Sequence, residues 1–410
     1  MKTGTGNLIC LLSFLLFSSF ASPGAHANRN NALTYSSNIN GSLEHNTVFS
    51  GGEDGYITYR IPSLISASDG TLIAIAEARR DNRQDPGGGH IDLVYKLSHD
   101  GGRSWSSLRM FAQSREGWSS SNPTSVIKNS DGRILVLYNV WKPGRSGNPG
   151  PMVSRPGEMD CQLKIRYSDD NGRSWSDERD ITHQGRDVNS WGIAVFGPGH
   201  GIETRSGRLV VPVNANSPGY EHDHPDKKWS SFALYSDDGG ENWNRGEQVN
   251  EFACENQIVE LDDGRLMIDA RVSDRDTGFR WTAISGDQGE TWSEPEPGQV
   301  CPPIAASIIS YPNPDINKNS LLLWSGLKGP GRKNLVLRLS SDQGISFPLE
   351  ILTGPGHAAY SAMYLIDNGD VGVLWEGGKE TPYDNLIFTR VSKEIIMQLQ
   401  DMSAITRETY

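Results

Sequence analysis

Apolar and polar positions alternate in short runs through most of the chain, and the runs come in pairs around a tight-turn signal. "SLISASDGTLIAIAEAR", "TSVIKNSDGRILVLYNVW", "GIETRSGRLVVPVN" and "QIVELDDGRLMIDAR" each set two strand-length runs about a turn that contains glycine. "SIISYPNPDINKNSLLLWSG" and "AMYLIDNGDVGVLWEG" bring the set to six. A period of two half-buries a strand and glycine accepts the left-handed turn, so each pair predicts an antiparallel hairpin. A third strand-like run follows each hairpin, as in "HIDLVYKL", "QLKIRY", "NLVLRL" and "DNLIFTRV".

A second repeat sits after these third runs. "SHDGGRSW" (98–105), "SDDNGRSW" (168–175), "SDDGGENW" (236–243) and "SGDQGETW" (285–292) share S-x-D-x-G-x-x-W, and "SSDQGISF" (340–347) keeps the pattern with Phe347 for Trp. Ser and Asp oxygens can bond nearby backbone N–H groups while the aromatic packs beneath, which makes the octet a turn rather than a catalytic motif. Six hairpins, each followed by a third strand and five of them by an octet turn, predict an all-β fold: a six-bladed β-propeller of four-stranded antiparallel blades. The sixth set lacks an octet, and the early run "NTVFSG" (46–51) is placed to supply its outer strand and close the ring. The expected organisation is a signal segment at 1–27, a polar leader at 28–45, the propeller at 46–393 and a helix-like tail at 394–410, carried by "KEIIMQLQDM".

The signal segment rests on Lys2, the apolar run "LICLLSFLLFSSF" and the small-residue pattern "AHA" at 25–27, which together read as a cleaved export signal too short to span a bilayer. Secretion, to the periplasm or the exterior, is the expected localisation. Loss of residues 1–27 removes one lysine and no acid, so the formal charge moves from −12 to −13. Such a field disfavours nucleic acid as a partner, and an anionic ligand would have to be drawn by a few placed arginines. Cys161, Cys254 and Cys301 remain, too few for a disulfide scaffold at this length.

Up-and-down blades sort polar residues by face. The start of an inner strand, the end of the second, the loop after it and the start of the third all share one face, while the octets fall on the other. By that rule Arg60, Asp85, Glu255, Arg271, Arg332 and Tyr360 converge near the axis, from four different blades. Clustered arginines repel one another unless an anion joins them, and their planar forks suit a carboxylate or phosphate. Arg79, Asn122, Trp118, Trp141 and Trp191 sort to the same face; a packing role is the rival reading for each tryptophan.

"YRIP", the five octets, the Asp85 loop, "ENQIVELDDGRLMIDAR", "GPGR" and the late "YS" resemble, in that order and over about residues 46–390, an exo-α-sialidase (neuraminidase) of the bacterial type with Asp-box, or BNR, repeats. The resemblance implies hydrolysis of terminal sialic acids from sialylated glycans, glycoproteins or glycolipids, without cofactor or metal. It assigns Arg60, Arg271 and Arg332 to the substrate carboxylate, Tyr360 as nucleophile, Glu255 as the base that activates it and Asp85 as general acid/base, with retention of configuration. A tyrosine nucleophile departs from the usual two-carboxylate scheme of glycosidases. In similar enzymes the Arg79 position and an acid at position 122 contact the 4-hydroxyl; Asn122 departs from that acid. Two other readings are a sialic-acid-binding propeller without turnover and another Asp-box glycosidase. "HDH" at 222–224 reads as a solvated loop rather than a metal site. Cys254 and Cys301, at strand starts in adjacent blades, suggest a disulfide, with a pair of buried thiols as the rival.

Overall fold

The computed structural model describes residues 33–34, 41, 43–115, 117–144, 156–216, 229–249, 253–272, 278–313, 315, 317–366 and 368–408. Residues 1–27, expected as an export signal, and the "HDH" segment lie outside them. The fold is mostly β, with strands gathered into five sheets. The first holds Thr58–Ser66, Leu72–Arg79, Ile91–Ser98 and Arg109–Ala112. The second holds Ser119–Lys128, Arg133–Trp141, Cys161–Ser168 and Arg179–Asp180. Ile193–Phe196, Leu209–Asn216, Trp229–Ser236 and Asn244–Arg245 form the third, and Ala253–Glu260, Leu266–Val272, Phe279–Ser285 and Glu296–Val300 the fourth.

The remaining two hairpins share one eight-stranded sheet. The reason is a single 17-residue strand, Leu349–Leu365, which pairs with Lys333–Ser340 through its first half and with Val371–Gly378 through its second. Residues 354–357 stay in the strand. At the far edge Leu43–Ser50 lies antiparallel to Asn385–Val391, with Leu43 opposite Val391 and Ser50 opposite Asn385. This outer strand comes from the other end of the chain, so no turn follows Asn385–Val391 in that place and there is nothing for a sixth octet to build. A helix, Lys393–Glu408, follows instead, burying Ile395, Ile396 and Leu399. Among the described residues no helix is long and apolar enough to cross a membrane.

The octets are turns of one design. In the first, Ser98 Oγ donates to Asp100 Oδ1 at 2.8 Å and accepts from Gly102 N at 2.9 Å, while Asp100 Oδ1 accepts from Ser104 N at 2.9 Å. Equivalent bonds recur about Asp170, Asp238, Asp287 and Asp342. The octet glycine takes a positive φ and abuts the preceding sheet, where a Cβ would press on a neighbour: Gly172 on Ile73, Gly240 on Leu135, Gly289 on Ala233 and Gly344 on Met267. Gly102, in the first octet, faces Phe388 of the last strand.

The third sheet departs from a plain hairpin. After Ile193–Phe196 the chain leaves its sheet, and Gly199–His200 runs parallel to Thr124 and Ser125 of the second sheet. His200 is thereby 3% exposed, edge-on to Tyr364, and burial lowers its pKa to about 4. An unfolded histidine titrates near 6.5, so the unfolded chain takes the proton first as pH falls. Stability from the neutral ring is intact above pH 6.5 and lost as pH falls through about 4, a change of about 3 kcal/mol. His200→Gln should flatten that part of a plot of urea midpoint against pH; an unchanged slope between pH 6.5 and 4 would refute the assignment.

The expected bridge between Cys254 and Cys301 is not formed. Cys254 is a buried thiol packed with Trp141, Cys161, Ile193, Val195 and Trp229, whereas Cys301 is buried in a separate cluster with Leu327 and Trp324. Adjacent sheets turn these two positions toward different interiors, and burial raises the pKa of the Cys301 thiol.

Candidate active site

Four of the inner strands carry a register shift at a candidate residue. The pairing skips between Arg60 and Ser63, between Ser121 and Thr124 around Asn122, between Ala253 and Asn256 around Glu255, and between Ala358 and Ser361 around Tyr360. A bulge leaves its extra residue out of the ladder and re-aims its side chain, which is how a buried strand delivers a polar group to one spot. Ile61 (φ 55°) and Asn122 (φ 52°) take the left-handed region at these bulges, each directly before a proline. For β-branched Ile61 that conformation is strained and must be held by its surroundings.

The bulges bring together Tyr360, Glu255 and Arg271, which are far apart in sequence. Tyr360 Oη lies 2.6 and 2.7 Å from the two Glu255 oxygens and accepts from Arg271 Nη1 at 2.7 Å; Arg271 Nη1 also donates to Glu255 Oε2. Burial, and after it the Glu255 carboxylate, raises the Tyr360 pKa despite the opposing pull of Arg271, Arg332 and Arg60. The resting phenol is therefore neutral, with its proton directed at a carboxylate.

Arg60 and Arg332 flank the same ring, their Cζ atoms 5.3 and 5.4 Å from the Tyr360 centroid. Glu376 accepts from Arg60 Nε at 3.0 Å and Nη2 at 3.1 Å, from Ile61 N at 2.9 Å and from Tyr360 N at 3.3 Å. One buried carboxylate thus neutralises Arg60 and also ties down the strained backbone beside it and the backbone of Tyr360. Arg332 Nη1 donates to Tyr383 Oη at 2.7 Å and, among the described residues, has no carboxylate within ion-pair reach. Arg60 and Arg271 each have a close carboxylate partner, Glu376 and Glu255, with Asp85 at the edge of Arg60, so Arg332 is the guanidinium of the three whose charge no carboxylate among the described residues cancels. An uncancelled guanidinium of this kind suits an anion.

Asp85, half exposed, stands at the rim, with Oδ1 3.3 Å from Arg79 Nη1 and 4.0 Å from Arg60 Nη1. Arg79 itself is buried and heavily engaged. It forks onto Glu77 Oε2 at 3.1 and 2.7 Å and donates to the carbonyls of Arg83 and Gln84 at 2.8 and 2.9 Å, which fixes the loop that carries Asp85. Glu77 also accepts from Asn122 N at 3.1 Å, while Asn122 Nδ2 donates to Phe196 O at 3.3 Å. Trp141 donates to Ser121 Oγ at 2.8 Å and joins the apolar cluster that ends at Cys254, the neighbour of Glu255. Trp118 is partly buried. Trp191 departs from expectation: it packs against Phe232 and Arg245 and lines a groove with Tyr235, just before one octet, and Glu290, within another. The turn after the short helix Thr182–Gly185, closed by Trp191 N on Asp187 O, directs it there.

A cavity of about 910 Å³ lies at the opposite ends of the inner strands, lined by Ser66, His200, Glu260, Tyr311 and Tyr364, and contains none of these groups. Among the described residues no cluster of His, Cys, Asp and Glu is placed to hold a metal. The arrangement can bind an anion, deprotonate a phenol in the act of attack, and present a carboxyl group from the rim.

The family described as BNR repeat-like domain matches residues 70–373. A sialidase of Bacteroides fragilis is 29% identical over 346 residues, covering 79% of this chain and 61% of that protein. A sialidase of Micromonospora viridifaciens is 29% identical over 352 residues, covering 82% and 52%. The chain thus spans between half and two thirds of these relatives' length. Among solved structures, a Hadza microbial sialidase superimposes with a TM-score of 0.73 at 26% identity, covering 84% of this chain and 68% of that one.

Proposed function

The chain belongs to the BNR repeat-like domain family, in which it is similar to bacterial sialidases, and on that premise we propose that it is an exported, retaining exo-α-sialidase. One observation carries the reading: the Tyr360 hydroxyl is held against both Glu255 oxygens within a cluster of three arginines. The substrates would be terminal sialic acids on glycans, glycoproteins or glycolipids. The negative formal charge supports a ligand chosen by placed arginines, and disfavours nucleic acid.

In the proposed reaction Arg332, Arg271 and Arg60 bind the sugar carboxylate beside the anomeric carbon. Glu255 takes the Tyr360 proton as Oη bonds to that carbon, while the glycosidic C–O bond breaks and Asp85 protonates the leaving oxygen. Asp85, now a carboxylate, takes a proton from water as the water oxygen replaces Oη at the carbon, and the phenolate recovers its proton from Glu255. Two displacements at one carbon give retention. A neutral phenol avoids setting a second anion against the substrate carboxylate before attack.

We extend the reading to a six-bladed propeller, the long strand Leu349–Leu365 serving two blades. What supports ring closure is the order of octet contacts, which returns to its start where Gly102 meets Phe388. The segment at 1–27 fits an export signal, and 46–393 the propeller.

Incubation with an aryl α-sialoside should release free sialic acid, with the α anomer first by NMR before mutarotation. The β anomer appearing first would overturn the tyrosyl intermediate. Tight binding without release would favour a sialic-acid-binding propeller, and activity on a neutral polysaccharide that survives Arg332→Ala would favour another Asp-box glycosidase.

A further inference from the structure

Tyr383 lies on the turn between Val371–Gly378 and Asn385–Val391, and its neighbours hold it there tightly. Thr58 Oγ1, from a buried residue, donates to its carbonyl at 2.7 Å. Asp384 gathers the rest of the turn, accepting from Glu380 N at 2.8 Å, Thr381 N at 3.0 Å and Thr381 Oγ1 at 2.6 Å, and its carbonyl accepts from Gly51 N at 2.8 Å. The side chain is fixed by two cations. Its hydroxyl accepts from Arg332 Nη1 at 2.7 Å, and its ring lies 4.4 Å from Arg60 Cζ and 5.8 Å from Arg332 Cζ.

Of the three arginines, Arg60 and Arg271 each have a carboxylate partner that fixes the direction of the fork. Arg332 has only a phenol oxygen among the described residues. A phenol can orient a guanidinium without cancelling its charge, and the face of its ring eases the approach of a second cation. A carboxylate in the same position would have cancelled the Arg332 charge.

We propose that Tyr383 is a positioning residue that sets Arg332 and Arg60 in the spacing of a carboxylate receptor before any ligand arrives, while leaving the Arg332 charge available. Pre-setting the arginines spares the ligand the entropy of ordering two long side chains. The inference rests on the sialidase reading, and extends it to a residue that need not touch the substrate.

The test compares wild type, Tyr383→Phe and Tyr383→Leu, using 2-deoxy-2,3-didehydro-N-acetylneuraminic acid and the amide of its carboxylate as probes. Loss of a hydrogen bond to a charged donor should weaken binding of the acid by roughly 10-fold in Tyr383→Phe. Tyr383→Leu, which also removes the ring, should lose more. Binding of the amide should change less than threefold in both variants, and for an aryl sialoside KM should rise while kcat stays within about threefold, because the carboxylate persists from ground state to transition state. A merely structural role would weaken acid and amide alike, or lower kcat with the melting temperature; either result overturns the proposal. So does a Tyr383→Phe variant that discriminates acid from amide as wild type does. Wild type that binds neither probe sinks the sialidase reading, and the role of Tyr383 falls with it.

Discussion

Tyr360→Phe is expected to lower kcat on an aryl α-sialoside by roughly 10³-fold, the scale on which removal of a reacting group is felt. The change deletes one oxygen. That oxygen is the atom held by Glu255 and Arg271, so the variant retains the ring on which Arg60 and Arg332 rest but loses the group that would bond to the anomeric carbon. KM should change little, since the arginines that bind the carboxylate remain. The melting temperature should also stay close to that of wild type, because Arg271 continues to pair with Glu255. Steady-state kinetics with thermal melting as control decide the matter, and a variant keeping a tenth or more of wild-type kcat would remove Tyr360 from the mechanism.

The largest loss of stability is expected at Glu376. Glu376→Ala leaves the buried Arg60 guanidinium without its counter-charge, a type of change that costs about 3–5 kcal/mol. It also strips an acceptor from the Ile61 N–H at a positive φ and from the Tyr360 N–H. Because these terms share one carboxylate they do not add independently. A fall of at least about 3 kcal/mol in urea unfolding is expected. The double change Glu376→Ala with Arg60→Met should recover part of it, since the stranded charge is then gone. Glu376→Ala within 1 kcal/mol of wild type would show that Arg60 finds other compensation.

Much of the architecture is legible in the sequence because it is local. Each octet bonds within its own eight residues, so its pattern is visible without knowledge of anything else. The hairpins announce themselves by alternation and glycine. The pairing of 46–51 with the last strand could be anticipated only because the repeat left a place unfilled. Glu376 escaped notice: its partners Arg60 and Ile61 lie 316 and 315 residues away, and "VLWEGG" looks like any strand end. Tyr383 escaped for the same reason, on a turn that gives no hint of the arginines above it. The bulges had a partial signal, since Pro62 and Pro123 cannot donate to a ladder and mark a break in two buried strands. Nothing comparable precedes Asn256 or Ser361. The hairpin pattern puts Cys254 and Cys301 at strand starts in adjacent blades, but Cys301 follows the end of Glu296–Val300 and enters a different interior, and the suggested bridge is absent.

The pairing of Leu43–Ser50 with Asn385–Val391 has a consequence for how the molecule is made. That outer strand leaves the ribosome early, yet the strand it must join is among the last to emerge. Until then that early segment has no strand to pair with, while the sheets between them can form in turn. Completion is thus postponed to the end of synthesis, and a message cut short before codon 385 yields a product with an uncovered edge, a natural substrate for chaperones and a seed for aggregation.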